Sequence, residues 1–141
     1  MPDGALTALQ KGLVAAAKAH PNLSALIGDR ILDAPPHQET AFPYVVLRRF
    51  ELEPGDTDGT TGFLVTFGPE VHSRRTPPQT LEAKRVGEQL VAAFHRQEGS
   101  ISLIGFDLVR INFLTSSAEP ENGDGDVIHR LAFEAHLDTA T

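Results

Sequence analysis

Residues 127–137 read VIHRLAFEAHL, and the alternation in this stretch restricts the fold more than any other feature of the chain. Val127, His129, Leu131, Phe133, Ala135 and Leu137 fall on one side of an extended backbone, with Arg130, Glu134 and His136 on the other. A period of two with a single apolar side predicts a strand in a sheet that is covered on one face. Such a strand needs paired neighbours and a layer over its apolar side, so the remaining segments are read for both.

Three segments supply neighbours. In YVVLRRFELE, Tyr44, Val46, Phe50 and Leu52 fall on one face and Val45, Leu47, Arg49 and Glu51 on the other, with Arg48 breaking the pattern. The polar, glycine-rich PGDTDGTTG is a loop, after which Phe63, Val65 and Phe67 alternate with Leu64 and Thr66, so the two runs predict a hairpin. SLIGFDLVRINFLTSS places Leu103, Val109, Ile111 and Phe113 on one face and Ile104, Phe106, Leu108 and Leu114 on the other. Two apolar faces predict a central strand, or one whose second face meets a partner subunit.

The covering layer comes from helical spacing. Leu6, Leu9, Leu13, Ala16 and Ala17 predict a helix over Ala5–Ala19 that HPN at 20–22 ends or bends, and Leu23, Leu26 and Ile27 read as a short apolar turn. Pro35, Pro36 and Pro43 argue against a second long helix before the first strand. Ala83, Val86, Leu90 and Phe94 form the stripe of a helix over 79–97. The expected fold is α+β, about four antiparallel strands packed against two helices in the order helix-strand-strand-helix-strand-strand, with 1–141 as one domain.

Cysteine is absent, which excludes thiolate chemistry and disulfides and suits an intracellular or intraparticle protein. No basic leader or apolar run long enough to cross a bilayer is seen, so no membrane partner is expected. The balance of 12 basic to 19 acidic residues gives a formal charge of −7, unlike a surface that wraps nucleic acid. His72 and Ser73 are adjacent, but neighbours on a strand face opposite ways, and no nucleophile elbow surrounds them. Arg74 and Arg75 suit a phosphate or, favoured by the overall charge, a carboxylate of their own or a neighbouring subunit; Arg48 and Arg49 form a second such pair. ENGDGD is acidic but lacks the ordered calcium-loop pattern, and the histidines show no zinc spacing. The residues therefore predict a small acidic binding domain that is not an enzyme, with no catalytic, cofactor-binding or metal residues.

The N-terminal helix, IGDRILDAPP, FPYVVL, the strand ending VHSRR, the helix EAKRVGEQLVAAF, LIGFDLVRINFL and VIHRLAFEAHLD together resemble the tail completion, or tail terminator, family of long-tailed phages and gene transfer agents. The likeness spans nearly the whole chain, though a tryptophan and serine often found before the second helix are only approximated by Phe67 and Ser73. It implies a hexameric ring at the head-proximal end of the tail that stops tube polymerisation and meets the head connector. Its partners would be other copies, the tail-tube protein and the connector or stopper, with DNA passing through unbound. Assembly would occur in the bacterial cytoplasm, with the ring ending at the head-tail junction of a particle. The expected interface joins Arg48, Arg49, Arg74 and Arg75 to acidic loops carrying Asp56, Asp58, Glu119, Glu121, Asp124 and Asp126. Rival expectations are a head-side stopper or adaptor, and a free-standing small-molecule or peptide binding domain.

Overall fold

HPN at 20–22 ends the first helix, as its sequence predicts, and also starts a second. In the computed structural model, which describes residues 3–34, 36, 41–55, 61–74, 81–120 and 127–140, helix α1 spans Ala5–Ala19 and helix α2 spans Pro21–Ile27. The His20 N–H donates to the Ala17 carbonyl, closing α1, while its Nδ1 accepts from the Leu23 N–H at 3.2 Å and caps α2. Pro21 at the first turn of α2 has no N–H to leave unsatisfied. Gly28, at φ 61°, then ends it in a conformation that glycine adopts without steric cost.

Five strands follow in one sheet. Strand β1 is Ile31–Leu32, β2 Tyr44–Pro54, β3 Gly62–Ser73, β4 Phe106–Pro120 and β5 Val127–Thr139, with helix α3, Leu81–Phe94, between β3 and β4. The sheet order is β1-β2-β3-β5-β4. β1 runs parallel to β2, pairing Ile31 with Val45 and Leu32 with Val46, and the other neighbours are antiparallel. The expected four antiparallel strands and two helices are therefore corrected, among the described residues, to five strands in a mixed sheet and three helices. Both additions are short: seven residues of α2 and two of β1 display too few repeats for a period to show.

All three helices pack on one face of the sheet around a shared apolar core. Val45 and Leu47 of β2, Val65, Phe67 and Val71 of β3, and the whole alternating set of β5 point into it. At its centre Phe133 stacks on Phe67 with ring centroids 5.3 Å apart and meets Phe94 edge-on at 5.6 Å. Rings in these offsets add about 0.5–1.5 kcal/mol each beyond their buried area.

β4 is an edge strand, where two apolar faces had suggested a central one or one whose second face meets a partner subunit. Its register slips between Leu108 and Arg110 and again between Phe113 and Thr115. Each slip inserts an extra residue and reverses the alternation, so Phe106, Leu108, Ile111 and Phe113 all join the core while Val109 and Leu114 stay exposed. The end of α3 covers part of this edge, with the Arg96 N–H donating to the Ile111 carbonyl and the Phe113 N–H to His95 Nδ1.

Candidate interaction site on the helix-free face of the sheet

A second irregularity places the polar chemistry. β2 bulges between Arg48 and Glu51, and Arg49 at the bulge has φ 58°, the left-handed region that non-glycine residues seldom occupy. The bulge turns Phe50 inward to stack on Phe67 at 5.5 Å. It also lets the consecutive Arg48 and Arg49 reach the same residue on the opposite face, Glu70 of β3. The alternation read from the sequence assigned these arginines to different faces, because a bulge has no period.

Glu70 is only 5% exposed and lies among four cationic or titratable groups. Its Oε1 accepts from Arg48 Nη1 at 3.3 Å and from His72 Nε2 at 3.3 Å; its Oε2 accepts from Arg49 Nη2 at 2.8 Å. Arg130 of β5 adds an ion pair from Nε to Oε2 at 3.5 Å, which the pairing of Glu70 with Arg130 in the ladder makes possible. Burial alone would push the Glu70 carboxyl up, but the fields of Arg48, Arg49, His72 and Arg130 together hold it below the usual carboxylate value. Desolvation pulls His72 below its ordinary value, opposed by Glu70. Neutral His72 therefore carries its proton on Nε2, since a carboxylate can only accept. Its ring stacks on Tyr44 of β2, centroids 4.8 Å apart and nearly parallel at 5°.

Three guanidinium charges against one carboxylate leave a local surplus of two positive charges in a chain whose net charge is −7. The Arg49 guanidinium lies over Gly68, where a Cβ would come within 3.4 Å of its Nε and 3.2 Å of the Leu131 carbonyl. Beside it Arg49, Arg130, Thr115 and Ser117 help line a hollow of about 220 Å³. On the other side Arg48 and Arg49 border a wider depression of about 500 Å³ reaching Thr7 and Gln10 of α1.

Arg48 and Arg49 thus sit together in this cluster, whereas Arg74 is exposed just beyond β3. Arg75, Asp56, Asp58, Glu121, Asp124 and Asp126 lie outside the described residues; Glu119 pairs through its backbone with Ile128 at the end of β4. Glu70 and Arg130 were not singled out from the sequence. The spacing of Glu70 and His72 places them on one strand face, but joining them to Arg130 requires the β3–β5 register. His72 and Ser73 do face opposite ways: Ser73 is buried on the helix side, its Oγ donating to Glu82 Oε1 at 2.5 Å. Among the described residues no group of acids and histidines is arranged to hold a metal ion.

The model of the family described as tail completion protein gp17 matches residues 11–136. The chain belongs to that family. It is a structural protein of virion assembly, not an enzyme, and it ends tail assembly and links the tail to the head. The fold is similar to that of a chain in the virion of a native gene transfer agent particle, with a TM-score of 0.83 and 22% sequence identity. That likeness covers 97% of this tail completion protein and 99% of the other chain. No curated protein matches it.

Proposed function

We propose that copies of this tail completion protein close into a hexameric ring at the head-proximal end of a phage-like tail. There the ring stops tail-tube polymerisation and presents its other surface to the head connector. The observation that carries this reading is the family match across 11–136, which takes in α2, α3, most of α1 and all of the sheet but the end of β5. The fold shared with a chain of a gene transfer agent virion supports the same setting.

Closed rings use heterologous contacts, in which one surface meets a different surface of the next copy. Arg48, Arg49, Arg74 and Arg75 supply one such surface and the acidic segments around Asp56, Asp58, Glu119, Glu121, Asp124 and Asp126 the other. A net acidic ring would also let DNA pass through without adhering, because like charges repel. Assembly in the bacterial cytoplasm followed by incorporation at the head-tail junction completes the proposal.

Electron microscopy of purified particles carrying labelled protein tests it. Label at the upper end of the tail, between tube and head, is the expected result. Label on capsids that have no tail would replace the terminator reading with that of a head-side adaptor.

A further inference from the structure

The Glu70 cluster holds more positive charge than its carboxylate consumes. Arg49 meets Glu70 through Nη2, Arg48 through Nη1 and Arg130 through Nε. Among the described residues no second carboxylate lies within ion-pair distance of any of the three. Their side chains remain between 42% and 52% exposed, so the surplus charge is open to solvent while the central carboxylate is not. Thr115 and Ser117 add hydroxyl donors to the hollow beside Arg49 and Arg130. Guanidinium groups with flanking hydroxyls form a receptor for an oxyanion such as a carboxylate.

Arg49 supplies a second, independent observation. Glycine would adopt its φ of 58° freely, whereas L side chains seldom occupy this region. The strained arginine brings an additional guanidinium to a face that already has two, more than neutralising one carboxylate requires.

We propose that this cluster seats a carboxylate side chain of a second copy of this chain, delivered by one of its acidic stretches, 51–58 or 119–126. The proposal rests on the ring reading above and names the contact that holds neighbouring copies. Each of these two stretches, ELEPGDTD and EPENGDGD, has four acidic residues and no basic one. Copies that each carry −7 repel one another, and a contact that pairs a local positive surplus with a local negative one offsets that repulsion. A contact between the hollow of one copy and an acidic stretch of the next is head-to-tail and can repeat around a ring.

The absence of native cysteine gives a direct test. Ser117→Cys is combined with Asp58→Cys in one variant and with Asp124→Cys in another, and assembled particles are oxidised and separated on a non-reducing gel. A ladder of linked copies from one double variant, with none from the single variants, is the expected result. A disulfide closed within one copy overturns the proposal, because the chain's own acidic stretch would then fill the hollow. Variant chains found at the tail end but giving no ladder overturn the docking contact and leave the ring reading standing. Variant chains absent from tails that are nevertheless complete overturn both.

Discussion

Glu70 is the residue whose environment most depends on the rest of the fold. β2 brings Arg48 and Arg49 to it, β5 brings Arg130, and its own strand brings His72. Replacing Glu70 with Gln keeps the shape but leaves three guanidinium groups facing one another; hydrogen bonds to charged groups contribute about 1.5–3 kcal/mol, and the half-exposed arginines place this loss at the lower end. Urea unfolding should show it as a lowered midpoint with unchanged slope. The direction with pH follows from the same site. The Glu70 carboxyl is held below its ordinary 4.5 when folded, so its stabilisation is complete above that pH and is lost as pH falls through the folded value. His72 is held below 6.5, so the unfolded chain takes up its proton first and stability begins to fall as pH drops beneath 6.5. Both act in the same sense. Melting temperature should decline from neutral pH downward, and His72→Gln should remove the earlier part of that decline.

At the scale of elements, regular repetition was legible and irregularity was not. The helix over Ala5–Ala19 and the inward set of β5 follow directly from their periods of 3.6 and two. Two slips in β4 hid one core face behind an apparent pair, and the bulge in β2 hid the fact that neighbouring arginines share a target. α2 was read only as a short apolar turn and β1 not at all, because seven residues and a two-residue pairing show too few repeats for a period. The candidate site was half visible for the same reason: Arg48 and Arg49 stand out as a pair, while Glu70 and Arg130 meet only through the register of β3 with β5. Another contact between elements is equally invisible in the sequence. α3 approaches β5 at Gly87, where an added methyl would overlap the His129 imidazole, and His129 Nδ1 bonds the Ala83 carbonyl of the same helix at 3.1 Å. Gly87→Ala gains about 1 kcal/mol of helix propensity but pays for overpacking of about 1–3 kcal/mol. A net loss of stability is expected in urea, and adding His129→Ala should recover part of it; a Gly87→Ala chain as stable as the parent would show that the helix rides higher on the sheet.

At the scale of the whole molecule, the fold separates two kinds of surface. One face of the sheet is committed to the core beneath three helices, and the other carries a positive cluster on an otherwise acidic chain. That division suits the ring proposed above, in which one surface of each copy meets another. Membership of the tail completion family makes the task the ending of tail assembly and the joining of tail to head. The measurement that tests this most directly is the distribution of tail lengths, with the proportion of tails joined to heads, in particles assembled with and without the protein. Without it, tails of uncontrolled length separated from their heads are expected, with both defects reversed when the protein is supplied again. Tails of normal length firmly attached to heads in its absence would contradict the account.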